Sequence, residues 1–323
     1  MPGAAHSLAA IPIIAAPSPI QELSGLRRAL GGGPRLLTKR DDTIGFALGG
    51  NKVRKLALVA AGALAEGADT LITCGGRQSN HARVTAITAA FLGLRCILVL
   101  NADAAVARRP PTGNLLLDTL AGAEIRYVGT RDQRAAEMTA AAEEVRRAGG
   151  HPVVIPLGAS TALGAAGFVS AIGELTTQIA PPDVIVHASS SGATQAGLVA
   201  GCALAGLSTR VIGISADEPA AVLTATVRGL LAELPPLLGL EAQRFADAAV
   251  EVDDRFIGGG YGVPTEASTE ALGLTLRREG FALDHTYTAK AMAGLIARVR
   301  AGAFTDAETV LFWHTGGQPG LFA

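Results

Sequence analysis

Only four lysines occur in this sequence, Lys39, Lys52, Lys55 and Lys290, among 27 lysines and arginines together. Such scarcity directs attention to positions where a guanidinium would not serve. Lys52 lies in Gly49-Gly50-Asn51-Lys52-Val53-Arg54-Lys55, a glycine-rich turn entering a helix. An amine at a helix N-terminus, near Arg54 and Lys55, has its charged form disfavoured by the dipole and by like charge. A depressed pKa is what a lysine needs to form an imine. The competing reading of the same spacing is a solvated lysine on a surface loop.

Two further loops have chemical content. Thr73-Cys74-Gly75-Gly76-Arg77-Gln78-Ser79-Asn80-His81-Ala82 directly follows a strand. Its glycines allow a tight turn, and Ser79, Asn80 and the free N–H groups there suit a carboxylate or a phenolate-like oxygen. Plain N-capping by Ser79 or Asn80 explains the run equally well. His187-Ala188-Ser189-Ser190-Ser191-Gly192-Ala193-Thr194-Gln195-Ala196-Gly197 again joins a strand to a helix. Small residues and hydroxyls aim consecutive N–H groups and a positive helix end at one spot, which in physical terms is a phosphate cradle. No Lys follows the second glycine, so this is not a Walker A loop. The missing GxGxxG weighs against a dinucleotide site, despite Asp217 at the end of the next strand.

As the contacts of a single ligand, an imine-forming lysine, a Ser-Asn loop and a phosphate cradle describe pyridoxal phosphate. Five blocks carry a resemblance in matching order: Gly49-Gly50-Asn51-Lys52-Val53-Arg54-Lys55-Leu56, Gln78-Ser79-Asn80-His81, Gly192-Ala193-Thr194-Gln195-Ala196-Gly197, Tyr261-Gly262-Val263-Pro264 and His314-Thr315-Gly316-Gly317. From about Lys39 to the C-terminus the chain resembles the aminocyclopropane-carboxylate deaminase/D-cysteine desulfhydrase family, among the tryptophan-synthase-β-like, fold-type II enzymes. The resemblance implies that Lys52 holds the cofactor as an imine and that Asn80 hydrogen-bonds its ring oxygen. Ser191, Gly192, Ala193 and Thr194 would hold its phosphate. Ser79, Asn80 and His81 would bind the substrate carboxylate, with Tyr261 and Tyr287 lining the substrate side of the ring. Lys52, Ser79, Tyr261 and Tyr287 are then the expected catalytic residues. For Tyr287, packing of a helix face with Met292 is the competing account.

Departures from the family pattern choose among its branches. The deaminases typically place Glu after the second tyrosine, against the pyridine nitrogen, and Gln after the Ser-Asn pair. Here Thr288 and His81 stand at those positions. Both resemble the desulfhydrase branch, in which Thr315, and with it Thr288, would lie near the ring nitrogen. An acid there deepens the electron sink and sustains a carbanion, whereas a hydroxyl favours prompt expulsion of a β-substituent. The expected reaction is α,β-elimination from a small D-cysteine-like amino acid, Lys52 removing the α-proton, to give a 2-oxo acid and ammonia. The alternatives are a deaminase of the aminocyclopropane-carboxylate type or a racemase, a cysteate sulfo-lyase, and a non-catalytic protein holding a phosphorylated metabolite. Arg77, if aimed into the site, would select an anionic β-substituent such as a sulfonate or a second carboxylate; aimed at solvent or phosphate it would not. Phe312-Trp313-His314 is expected to add bulk near Thr315.

These loops need a scaffold. Short β-branched runs (Thr70-Thr73, Cys96-Leu100, Glu124-Val128, Val153-Ile155, Val184-His187, Val211-Ser215, Thr309-Trp313) alternate with Ala/Leu-rich helical stretches such as Lys55-Glu66, Ala82-Leu92, Arg131-Ala148, Thr194-Ala205 and Thr265-Glu279. That alternation predicts an α/β protein with parallel sheets covered on both faces, and ligands beyond the carboxyl ends of the strands. The resemblance implies two three-layer domains, a large one of residues 1–46 and 160–323 and a small one of 47–159, and a homodimer. An irregular arm is expected before Gly31-Gly32-Gly33-Pro34, and the strong Ala/Gly/Arg bias reads as genome composition. With 323 residues, 49% hydrophobic and 17% charged, the chain can bury a large core. Lys+Arg 27 against Asp+Glu 28, with no charge block, argues against nucleic acid or an anionic membrane as partner. The charge-poor stretches Pro152 to Gly173 and Val184 to Thr209 are broken by Gly and Ser and read as core, not membrane spans. Three scattered cysteines make neither a disulfide framework nor a metal site, and with no basic residue before Arg27 the expectation is a cytoplasmic protein.

Overall fold

Runs such as Leu71-Ile72 and Val184-Ile185-Val186 are apolar at consecutive positions, so both faces of any sheet they enter must be covered. The computed structural model describes residues 8–323 and contains two such sheets. The strands are β1 (Ile20–Glu22), β2 (Arg35–Arg40), β3 (Thr70–Gly76), β4 (Arg95–Asn101), β5 (Glu124–Val128), β6 (Pro152–Val154), β7 (Val184–Ser189), β8 (Arg210–Ser215), β9 (Glu251–Asp253) and β10 (Thr309–His314). The six-stranded sheet has the order β1-β2-β10-β7-β8-β9, parallel except for β1, and the four-stranded sheet β5-β4-β3-β6 is parallel throughout.

Helices cover both faces of each sheet. They are α1 (Ser24–Ala29), α2 (Asn51–Ala65), α3 (Asn80–Phe91), α4 (Ala104–Ala107), α5 (Gly113–Leu120), α6 (Gln133–Arg147), α7 (Ala162–Gln178), α8 (Ala193–Leu204), α9 (Ala220–Leu237), α10 (Glu266–Glu279) and α11 (Thr288–Arg300). Successive residues of one strand feed opposite layers. Phe312 packs with Met292 and Leu295 of α11, and its neighbour Trp313 with Phe168 of α7. Likewise Leu71 joins Val53, Leu56 and Val84 from α2 and α3, whereas Ile72 joins Ala141 and Val145 from α6. Each sheet is the middle of three layers.

All seven expected strands are present. Three others, β1, β2 and the short β9, lie outside what the pattern predicts. β2 carries Arg35, Lys39 and Arg40, so it does not read as apolar, yet it is paired on both sides. Lys39 is fully buried there because its amine donates to Glu174, Gln178 and the Ser18 carbonyl. β1 and α1 replace the irregular arm expected before Gly31. Helix α2 begins at Asn51 instead of Lys55, since Arg54 and Lys55, which interrupt the apolar spacing, are themselves buried. The charge-poor stretches are β6 with the start of α7, and β7 with α8. By length and composition α9 alone among the described helices could cross a bilayer, but Leu223, Val227, Leu230 and Leu234 pack into the core. The small-residue bias has a packing cause. A Cβ on Gly167 of α7 would lie 2.5 Å from the Arg54 carbonyl oxygen, and one on Gly197 of α8 2.1 Å from that of Ala165.

Where α2, α7, β2 and β10 meet, polar groups replace apolar ones. Asp41, fully buried, accepts from Arg54 Nε and Nη2 at 2.8 Å each, from Ser18 Oγ at 2.7 Å and from Trp313 Nε1 at 2.7 Å. Arg54 also donates to Glu174 at 2.9 Å. Removing one member strands the others in a water-poor site. Asp41→Ala is therefore expected to lower stability by about 3–5 kcal/mol, whereas Arg35→Ala, which breaks the exposed pair with Glu22, changes it by less than about 1 kcal/mol. Urea unfolding of the two variants checks the contrast.

Candidate active site

The chain before α2 adopts backbone angles that few residues accept. Ala47 and Leu48 have φ of 49° and 57°, followed by Gly49 and Gly50 at 68° and 102°. A Cβ on Gly50 would sit 2.9 Å from the Thr315 carbonyl oxygen, so glycine permits two loops to touch. Asn51 N–H donates to that carbonyl at 3.0 Å, and the Gly50 N–H to the Asp41 carbonyl at 2.8 Å. Lys52 thus starts α2 facing a cavity between the loops. Among the described lysines its amine alone lacks a hydrogen-bond partner: Lys39 and Lys290 each donate three times, and Lys55 donates to the Gly158 carbonyl. Burial pushes the Lys52 amine down to about 8. The like-charge cause expected from the sequence is corrected here. Arg54 is answered by Asp41 and Glu174, and burial, then the charge of Lys52, holds Lys55 well below the usual lysine range.

At the end of β3, Ser79 caps α3, its Oγ accepting from the Ala82 N–H at 3.1 Å. Asn80 Oδ1 accepts from Asn114 Nδ2 at 2.9 Å and Arg83 Nη1 at 3.1 Å, which leaves its NH2 group for the cavity. Arg83 also donates to the Gly49 carbonyl at 2.9 Å, fixing Asn80 and the Lys52 turn together. His81 is fully buried, and desolvation keeps it neutral, well below the usual imidazole pKa. The Thr73 hydroxyl, 2.7 Å from His81 Nε2, donates its one proton to the Ile155 carbonyl, so Nε2 carries the ring N–H and Nδ1 offers only a lone pair. That tautomer leaves no ring N–H for a carboxylate, so of the groups on His81 only the backbone N–H could serve one.

The third loop closes the cavity. Gly192 precedes α8 at φ 87°, and the N–H groups of Ser191, Gly192 and Thr194 have no partner among the described residues. Thr194 Oγ1 accepts from Asn51 Nδ2 at 3.0 Å and Ser191 Oγ from Ser160 Oγ at 2.7 Å. Ala193 departs from expectation: it is fully buried, its N–H donates to the Ser191 carbonyl, and it does not line the cavity. Thr315 lines it, but Thr288 does not. Thr288 is fully buried, its hydroxyl exchanging hydrogen bonds with Asp284. Phe312 and Trp313 belong to the core layers and not to the space beside Thr315. Asn51 and Ser190, inside motifs already singled out, were legible as polar loop residues. Ser160, following Ala159 at φ 48°, had no signal in the sequence.

A second cavity of 450 Å³ shares Lys52, Ser190, Ser191 and Tyr287 with the first and adds Ser79, His81 and Tyr261. The Tyr261 and Tyr287 hydroxyls are 2.5 Å apart, and burial raises both phenols above their usual pKa. Tyr287 therefore faces the site while also packing on the core beside Met292. Lys290 holds the loop leading to Tyr261 through the carbonyls of Ile257 and Gly260, each at 2.7 Å. Arg77 turns away from the cavity to the carbonyls of Arg109 and Pro110. Asp217 accepts from Ser190 Oγ at 2.8 Å and pairs with Arg131 at 3.3 Å.

Orphan N–H donors at a helix start, an unpartnered buried amine and a free amide NH2 suit the phosphate, the aldehyde and the ring oxygen of pyridoxal phosphate. Ser191, Gly192 and Thr194, Lys52, and Asn80 would hold those three parts. The fold and cavity define a pyridoxal-phosphate enzyme. Residues 12–316 match the family described as pyridoxal-phosphate dependent enzyme, and the protein belongs to it. The chain is 40% identical to the 1-aminocyclopropane-1-carboxylate deaminase of Burkholderia ambifaria, over 97% of this chain and 95% of that one. It is also 40% identical to the D-cysteine desulfhydrase of Salmonella choleraesuis, over 98% of each. A crystal structure described as an ACC deaminase homologue superposes with a TM-score of 0.89 at 37% identity, covering 98% of this chain and 94% of the other. The resemblance read from the five motifs is confirmed at the level of family, fold and cofactor.

The depressed Lys52 pKa has a direct readout. In cofactor-free protein, acylation of Lys52 followed by peptide mass spectrometry should rise with pH through a midpoint near 8. At that pH about half the amine is uncharged, against below about 1% for an ordinary lysine. A midpoint in the ordinary lysine range would show that the amine is not desolvated.

Proposed function

We propose that this protein is a β-eliminating lyase acting on a small D-cysteine-like amino acid and releasing a 2-oxo acid and ammonia. The observation that carries the reading is the lining of the cofactor cavity. Thr315 is present and no carboxylate is, so nothing there holds the ring nitrogen protonated. Bound pyridoxal phosphate supplies an electron sink that acidifies the substrate α-carbon and loosens its β-substituent. The unpaired N–H groups of Asn80 and His81, at the start of α3, receive the substrate carboxylate together with the Ser79 hydroxyl. Lys52, uncharged in useful fraction near neutral pH, takes the α-proton on Nζ. Tyr261 and Tyr287 remain neutral phenols, so the pair has one hydroxyl proton to spare for the departing group.

A second reading, deamination of 1-aminocyclopropane-1-carboxylate, draws on the equal identity to a relative so named. Its carbanion must last longer, which a carboxylate at the ring nitrogen would favour. Three further points complete the proposal. Residues 47–159 act as a small lobe against 1–46 and 160–323, supported by the four-stranded sheet drawing every strand from within that segment. A second copy covers the groove of 470 Å³ between Leu48, Leu116 and Phe322, since Phe322 is 77% and Leu48 53% exposed. A reducing cytoplasm suits three cysteines that are all free and buried.

Holoenzyme given D-cysteine should release pyruvate and sulfide, and Lys52→Ala should lose the near-ultraviolet cofactor band and about 100- to 10,000-fold of the rate. Release of 2-oxobutyrate from 1-aminocyclopropane-1-carboxylate, with D-cysteine inert, would assign the second reading instead. Light scattering on the eluted protein should give twice 32.7 kDa, and Phe322→Asp should shift it toward the single chain.

A further inference from the structure

We infer that Arg83, backed by Asn114, is a positioning residue that makes Asn80 a charge-assisted donor to the cofactor's ring oxygen and so keeps that oxygen anionic. The inference rests on the contacts of Lys52 and Asn80 with pyridoxal phosphate given above. Asn80 heads α3 and lines the cofactor cavity, and Arg83 follows one turn later on the same face. Arg83 Nη1 donates to Asn80 Oδ1 at 3.1 Å and to Asn114 Oδ1 at 2.8 Å, and Nη2 to the Gly49 carbonyl at 2.9 Å. All three acceptors are neutral amide oxygens. Arg83 is fully buried, and its Nε has no partner among the described residues.

A guanidinium in so dry a place ordinarily meets a carboxylate. The carboxylates that act on this one are Asp118 of α5 and Asp284. Asp284 is taken up by the N–H groups of Thr286, Tyr287 and Thr288 and by the Thr288 hydroxyl. Asp118 is fully buried and neither of its oxygens has a partner among the described residues. Burial pushes its carboxyl up to about 8, so near neutral pH it is mostly uncharged. Burial also lowers Arg83 to about 10, which leaves it protonated there. Its charge is therefore unmatched and directed at the Asn80 side-chain oxygen. A cation donating to an amide oxygen draws electrons from the amide nitrogen and strengthens its N–H groups as donors. Asn114 Nδ2 adds a second donor to that oxygen at 2.9 Å, and is itself fixed by the Gln78 carbonyl at 2.8 Å. The proton shared within the Lys52 imine can rest on the imine nitrogen, leaving the ring oxygen anionic, or on the oxygen. An anionic oxygen gains most from a strengthened donor, so Arg83 favours the first arrangement, the one open to attack by a substrate amine.

The test is spectroscopic and uses holoenzyme, together with the same protein loaded with the cofactor analogue that lacks the ring hydroxyl. The two proton arrangements give separate absorption bands, the one with an anionic oxygen at longer wavelength. Arg83→Gln should lower the ratio of the long- to the short-wavelength band about 5-fold or more. It should cut the preference for pyridoxal phosphate over the deoxy analogue, read as a ratio of dissociation constants, by a similar factor. A merely structural role, through the Gly49 carbonyl and the Lys52 turn, would weaken both ligands alike and leave that preference unchanged. In an Asn80→Ala background, where both ratios are already low, Arg83→Gln should add less than about 2-fold. Should Arg83→Gln fail to fold, Asn114→Ala, which removes the other donor to Asn80, should lower both ratios about 2- to 3-fold. Unchanged ratios in the variant that folds, or an undiminished effect of Arg83→Gln without Asn80, would overturn the inference. If the wild type forms no band that Lys52→Ala abolishes, the cofactor contacts fall and the inference with them.

Discussion

Four donors converge on the carboxylate of Asp41, which no water reaches: two nitrogens of Arg54, the Ser18 hydroxyl and the Trp313 indole. A charge so placed is tolerable only when every partner is in position. The partners come from α2, from the segment before β1 and from β10, so the carboxylate fixes how these elements meet. Its backbone carbonyl also receives the Gly50 N–H, one step from the start of α2. The same residue therefore anchors the core and sets the origin of the helix that presents Lys52. A site whose reactive amine must be aimed within a fraction of an ångström gains from being tied to the least mobile part of the fold.

The lysines show how burial sorts identical side chains into different tasks. Lys39 and Lys290 are satisfied by carbonyls and acceptors and act as rigid ties, one under β2 and the other behind the Tyr261 loop. Lys55 gives its amine to the Gly158 carbonyl, beside the loop of Ser160. Lys52 is left without a partner in a desolvated cavity, which makes its neutral form accessible. Unsatisfied buried groups are few in native proteins, and those aimed into one cavity mark where a ligand completes the structure.

Much of the frame was legible in the sequence because its signals are local. Alternating β-branched and Ala/Leu-rich runs give strands and helices through side-chain period, and glycines with Ser, Asn and Thr mark the turns at the strand ends. What was not legible involves charge at a distance. β2 escapes notice because the partners that let Lys39 be buried, Glu174 and Gln178, lie more than a hundred residues further on. The start of α2 is obscured for the same reason, since Arg54 looks solvent-exposed until Asp41 and Glu174 are beside it. Thr288 and Thr315 read alike in sequence, yet Asp284 takes the first and leaves the second for the cavity.

By itself the sequence determined the class of fold, the cofactor and the three loops that meet around it, since each depends on residue types at fixed short spacing. The tertiary structure alone decided which side chains within those loops reach the cavity. It turned Arg77 outward, set the His81 tautomer through Thr73, and lowered Lys52 by burial instead of by neighbouring charge. The reason is physical. Backbone conformation follows from local sterics and hydrogen bonding, but a side chain's protonation and direction depend on the dielectric and partners that distant segments bring together.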